Sequence, residues 1–259
     1  MQKKFQVLTL VCAIAAGMMG SASVLATPTY RVGATATGIP FTFVDIKSGH
    51  TQGMMVDAIE AIGKAGGFET DIQQSVFSAL IPSLIPSLTS NKIDLISAAM
   101  LKTPEREKVV QYSDPIYSYG EGLILQEKDP KPYTSMADLK GEIVGAQVGS
   151  VFIDALNRHG GFKEVRSYDS VADMMRDLRL GRIKAAFGDR PIVAYQMATN
   201  PKQTKGLKLS DTYKSVVVGD VCIVMRQNDP ETLAQVNKGI AAIKADGSLD
   251  RIIEQWKLN

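Results

Sequence analysis

The segment Thr103-Pro104-Glu105-Arg106 puts a guanidinium into the first turn of a helix, shortly after an apolar strand made by Ile93, Leu95 and Ile96. Thr103 is a good N-cap, Pro104 suits the first helical position, and Arg106 falls among backbone N–H groups that have no partner within the helix. A cation there opposes the helix dipole. An anion lying between guanidinium and helix end relieves the conflict by accepting a bidentate pair of charge-assisted bonds. The plain alternative is a surface arginine paired with Glu105 or Glu107. Asp189 follows the apolar run Ile183–Phe187, at a strand end where a carboxylate can hold an ammonium group. Its ordinary roles would be to cap the helix after Pro191 or to pair with Arg190. Gly149 and Ser150 lie between a strand and a helix, so their N–H groups and the serine hydroxyl can join Arg106 around a carboxylate. Capping the helix is compatible with that role.

Such groups need a scaffold of alternating strands and helices, and the apolar periodicity supplies one. Strands are predicted at Tyr30–Ala34, Glu69–Gln73, Ile93–Ala98, Ile143–Ala146, Val165–Tyr168, Ala185–Phe187 and Val221–Met225. Helices are predicted at Met54–Gly63, near Ala79–Thr89, from Pro104, at Ser150–Arg158, Val171–Leu180 and Ile192–Met197, and in two closing segments. An internal echo divides this array in two. Leu88-Thr-Ser-Asn-Lys-Ile-Asp94 and Leu178-Arg-Leu-Gly-Arg-Ile-Lys184 share one pattern at an offset of 90 residues. The first copy leads through its strand to Ala98, Ala99 and Arg106, the second to Gly188 and Asp189. Two α/β lobes presenting strand ends to each other would enclose a cleft, where open parallel sheets bind ligands. The tandem Ile81-Pro82-Ser83-Leu84 and Ile85-Pro86-Ser87-Leu88 reads as a local kink or short loop, because Pro86 disfavours a helix interior.

The stretch KIDLISAAMLKTPEREKVVQYSDPIYSYGEG (92–122) resembles the amino-acid type of periplasmic solute-binding protein, the receptor component of an ABC importer. LKGEIVGAQVGS (139–150), LRLGRIKAAFGD (178–189) and DGSLDRIIEQW (246–256) match the same family in order. The resemblance implies an α/β, two-lobed periplasmic-binding-protein fold of type II, with two hinge crossings and a ligand cleft between the lobes. Lobe 1 would comprise residues 27–119 and 217–259, and lobe 2 residues 120–216. It further implies that Arg106, Gly149 and Ser150 hold a ligand carboxylate and Asp189 an ammonium group, with Ala98 and Ala99 beside the latter. Phe77 fills a commonly aromatic position.

Four departures from the family pattern bear on specificity. Leu101 and Val151 occupy positions that often carry a hydroxyl, and Gly38 lies where many members place a stacking aromatic; Phe41 and Phe43 are nearby. Thr35 stands where receptors for basic amino acids tend to have Asp, which disfavours lysine or arginine as ligand.

The N-terminus carries Lys3, Lys4, an apolar run to about Met19 and Val24-Leu25-Ala26, the pattern of a secretory signal peptide over residues 1–26. Cys12 lies inside the apolar run, preceded by Val11, a poor lipidation context. Cleavage would leave Cys222 as the sole cysteine, a buried thiol in VCIVM. It would also leave 27 basic and 27 acidic residues, a neutral chain without the electrostatic footprint of a nucleic-acid binder.

The remaining candidates are plainer. His50 and His159 have no partner at metal-ligand spacing. Glu121 and Lys102 stand near the expected cleft as ligand contacts or as surface charges. Trp256 with Ile252 and Ile253 reads as core packing. No Gly-rich phosphate loop or nucleophile elbow occurs, and no cofactor is expected. The expected function is non-covalent capture of a small zwitterion, an amino acid or related compound, by a monomer that delivers it to a membrane permease. The alternatives are a dehydratase-like enzyme acting on a small carboxylate and a periplasmic ligand sensor.

Overall fold

The computed structural model describes residues 26–73 and 81–258. The expected signal peptide and Phe77 therefore lie outside the described residues, apart from Ala26. The chain opens with β1 (Thr29–Gly33), a small antiparallel ribbon of β2 (Thr37–Gly38), β3 (Thr42–Val44) and β4 (Thr51–Gln52), then α1 (Met54–Gly66) and β5 (Glu69–Gln73). Next come α2 (Ile81–Thr89), β6 (Leu95–Ile96), α3 (Pro104–Glu107), β7 (Gln111–Tyr112) and the long β8 (Tyr117–Gln126). A 3-10 turn (Met136–Leu139) precedes β9 (Ile143–Gln147), α4 (Val151–His159), β10 (Glu164–Tyr168), α5 (Val171–Arg179) and β11 (Ala185–Asp189). The chain ends through α6 (Arg190–Thr199), α7 (Pro201–Thr204), β12 (Leu207–Leu209), β13 (Val218–Val221), β14 (Val224–Met225), α8 (Pro230–Ala245) and α9 (Ser248–Gln255).

Two sheets organise the lobes. The first has the order β5-β1-β6-β14-β7, with β14 from the C-terminal part inserted antiparallel between β6 and β7. The second has the order β10-β9-β11-β8-β12, parallel at β10, β9 and β11 and antiparallel at β8. The first half of β8 pairs with β13, and these antiparallel strands carry the chain between the lobes. Gly120 leaves room for the segment entering β13, since a Cβ there would fall 2.7 Å from the Ser215 Cβ and 3.1 Å from Val218 Cγ2.

In lobe 1, α1 buries Met54, Met55, Ile59 and Ile62, and Gly67 in the left-handed region ends the helix. Asp94, which follows Ile93 in the KID segment, is bonded by Arg31 Nε at 2.8 Å and by Arg226 Nη2 at 3.1 Å. The Arg31 hydrogen bond is the largest influence holding its carboxyl down, at about 2. This cluster ties β1 and β6 to the chain just after β14.

Several expectations change. The strand expected over Ile93–Ala98 pairs regularly only at Leu95–Ile96, because the chain turns away at Ala99, whose φ is +51°. Pro86 lies within α2 instead of in a loop. Ser87 Oγ donates to the Ser83 carbonyl at 2.7 Å, as expected of a serine bonding back along a helix. Glu121 is no surface charge: it is fully buried and accepts from Tyr213 Oη at 2.8 Å and from the backbone N–H groups of Val216 and Val217 at 2.8 and 2.9 Å. Lys102 pairs with Glu107 at 2.9 Å. Trp256 packs with Ile252 and Ile253 against the core, as expected, and its indole N–H also donates to Asp57 at 2.8 Å. Cys222 is buried, which pushes its thiol up to about 11. Both histidines are exposed.

Candidate functional site

Thr103 caps α3 as its type suggests, its hydroxyl accepting from the Arg106 backbone N–H at 3.2 Å. The cap fixes the first turn and sends the Arg106 side chain towards lobe 2. There Nη2 donates to the Gly149 carbonyl at 3.1 Å, while Nη1 donates to Leu101 O at 2.7 Å. Asp189 ends β11 and precedes Pro191 in α6, which holds its carboxylate at the strand terminus. No capping bond is formed by its side chain. Arg106 on α3 and Asp189 at the end of β11 line one cavity of about 50 Å³.

Ala98, Ala99, Leu101, Ser150 and Val151 line the same cavity. Gly149 does not: it faces a neighbouring cavity on the other side of Arg106, together with Glu105 and Arg158. Its φ of +74° suits glycine, and its carbonyl, rather than its N–H, meets the guanidinium. The Ser150 N–H and hydroxyl both donate to the Gln147 carbonyl, at 3.2 and 2.7 Å. The anion cradle expected from this turn is thus closed by the turn's own carbonyl.

Burial pushes the Asp189 carboxyl up to about 6, against the opposing pull of the Tyr119 hydroxyl and the Arg106 charge. Tyr119, buried itself, donates to the Ala99 carbonyl at 2.9 Å and stacks on Phe41 with ring centroids 5.7 Å apart. Burial and the nearby Asp189 raise its phenol well above the ordinary range. A cavity holding one cation and one unneutralised carboxylate can receive a molecule carrying both charges.

Sequence reasoning singled out neither Tyr119, Gln147, Val171 nor Ile192, all of which line the cavity. The signal for three of them was positional. Gln147 ends β9, and Val171 and Ile192 fall in the first turns of α5 and α6, on the rim where α/β sheets present ligands. Tyr119 carried a subtler one, lying on the crossing strand two residues from Glu121 and hence on the same strand face. Among the described residues no group of His, Cys, Asp and Glu could hold a metal ion. None of the described helices is long and apolar enough to cross a membrane.

A small cavity between two α/β lobes joined by paired crossing strands, with opposite charges on its walls, defines a two-lobed binding protein of the type II periplasmic class. The chain belongs to the bacterial extracellular solute-binding proteins, family 3, whose pattern matches residues 30–259. It is similar to the ABC transporter arginine-binding protein 1 of Escherichia coli (strain K12), with 33% identity over 86% of this chain and 88% of that one. An ancestral arginine-binding protein solved with bound arginine is 31% identical, covering 88% of this chain and 97% of its own, with a TM-score of 0.76. An ancestral amino-acid-binding protein described as a precursor of cyclohexadienyl dehydratase is 27% identical over 88% of this chain and 94% of its own, with a TM-score of 0.76.

Proposed function

We propose that the chain is the periplasmic receptor of an ABC importer, capturing one amino-acid-type zwitterion and handing it to the membrane permease. The observation that carries this reading is the shared cavity of Arg106 and Asp189. Arg106 has five N–H donors, and two directions are taken by Leu101 and Gly149, so its fork retains donors for a ligand carboxylate. Asp189, held half-protonated near pH 6 in the empty cavity, takes the ammonium group, whose charge restores its ionised form. Ser150, Ala98, Ala99, Leu101 and Val151 shape the surroundings, and Gly149 holds Arg106 in place.

Residues 27–119 and 217–259 form one closing body and residues 120–216 the other, with β8 and β13 as the hinge. Ligand selects the closed arrangement, because its two charges meet their partners only when the lobes approach. A cleavable leader over residues 1–26 delivers a monomer to the periplasm. Binding without chemistry is favoured because Asp189, already committed to the ammonium, is the only carboxylate among the described residues lining the cavity. Glu121 and Lys102, the other candidate acid–base groups, are engaged by Tyr213 and the backbone and by Glu107.

Small-angle scattering with and without saturating ligand, paired with calorimetry on Arg106→Ala and Asp189→Asn, tests the proposal. The radius of gyration should shrink on binding, and Asp189→Asn should weaken amino acids far more than their deaminated analogues. Equal losses for both ligand classes would remove Asp189 from the site.

A further inference from the structure

Among the described residues, the cavity that receives the zwitterion presents no charged side chain beyond Arg106 and Asp189. The other polar side chains among the described residues lining it are Thr35, Tyr119, Gln147 and Ser150, all uncharged and each making a hydrogen bond within the protein. The Thr35 hydroxyl bonds the Thr42 hydroxyl, Tyr119 donates to Ala99 O, Gln147 Nε2 to Asp169 O at 3.3 Å, and Ser150 to Gln147 O. The rest of the described wall is apolar, built by Phe41, Leu101, Phe152, Val171 and Ile192 among others. Its volume of about 50 Å³ is well below that of pockets that take drug-sized ligands, roughly 300–1,000 Å³.

We infer that the ligand is a compact zwitterion with an apolar body and no ionised group beyond its carboxylate and ammonium, in contrast to the long cationic amino acid that the similar proteins are named for. The inference rests on the zwitterion reading proposed above and narrows it. A guanidinium, a second ammonium or a second carboxylate placed against the described wall would be desolvated without a charged partner, a large penalty. A branched or cyclic hydrocarbon body fills the same wall and gains from leaving water.

Calorimetry on the processed chain at neutral pH, with valine and proline against arginine, lysine and glutamate, tests this, with isovalerate, the deaminated analogue of valine, as the member lacking an ammonium group. Valine or proline should bind at least about tenfold tighter than any amino acid with an ionised side chain. A charged-side-chain amino acid binding as tightly as the best apolar one would overturn the inference while leaving zwitterion capture intact. Isovalerate binding as well as valine, or none of the amino acids binding, would remove the zwitterion reading and the inference with it.

A variant gives an independent arm. Val171 is the first residue of α5 behind the Ser170 cap, a position where a carboxylate suits the helix dipole. Val171→Asp should improve arginine relative to valine by about tenfold or more. An unchanged ranking would mean that the ligand body does not lie against this wall, and would overturn the assignment.

Discussion

Arg106 reaches across the cleft to donate to the Gly149 carbonyl at 3.1 Å while its other terminal nitrogen holds the Leu101 carbonyl at 2.7 Å. One guanidinium thus touches both lobes and the cavity between them. Arg106→Ala should lower ligand affinity by more than about tenfold, since a charge-assisted bond to a desolvated carboxylate contributes roughly 1.5–3 kcal/mol. Arg106→Lys should fall between, because an ammonium cannot keep the fork that serves Leu101, Gly149 and ligand together. Titration calorimetry separates these cases, and wild-type affinity in Arg106→Ala would place the ligand elsewhere.

The Asp189 carboxyl lies at about 6 in the folded chain, above its ordinary 3.8. Between those values the native state binds more protons than the unfolded one, so the Asp189 contribution destabilises the ligand-free protein as pH rises from about 4 to about 6. Asp189→Asn should remove that contribution, read as the difference between variant and wild-type unfolding curves across this window. Ligand binding favours the ionised form, so affinity should climb with pH to about 6 and then level off, with proton release on the acid side. Calorimetry in buffers of different ionisation enthalpy counts the proton; equal affinity at about pH 4.5 and pH 7 would contradict the ammonium role.

Glu121 holds the return crossing from within. Its carboxylate accepts from Tyr213 Oη, Val216 N and Val217 N with no exposure to solvent. Removing it orphans two backbone donors and a phenol, at roughly 1–3 kcal/mol for each buried group. Glu121→Ala should therefore cost about 3 kcal/mol or more, and Tyr213→Phe about 1 kcal/mol, in urea unfolding. Equal losses would show that the backbone contacts contribute little.

Asp94 predicts the acid behaviour of lobe 1. Held at about 2 by Arg31 and then Arg226, below the 3.8 of an unperturbed carboxyl, it contributes stability that is complete above pH 4 and lost as pH falls through about 2. Asp94→Asn should lower the unfolding midpoint at neutral pH and flatten the decline between about pH 4 and pH 2. A variant with the wild-type acid limb would show that other carboxylates govern it.

Local chemistry made much of this protein legible from its sequence. Thr103 and Pro104 set the start of α3, the glycines after Lys64 stop α1, and period-two and period-3.6 patterns located strands such as β5 and helices such as α5 close to their actual ends, because those signals act over a few residues. The internal echo likewise marked the two strands that bring Arg106 and Asp189 to the cleft. What the sequence could not decide were contacts between residues far apart in the chain. That Glu121 accepts from residues more than ninety positions away, that Arg106 meets the Gly149 carbonyl rather than its N–H, and that Tyr119 completes the wall depend on how β8 and β13 pair and how the lobes come together. The same carboxylate type is held at about 2 at Asp94 and at about 6 at Asp189, because charge partners and burial belong to the assembled structure and leave no mark on the residue itself.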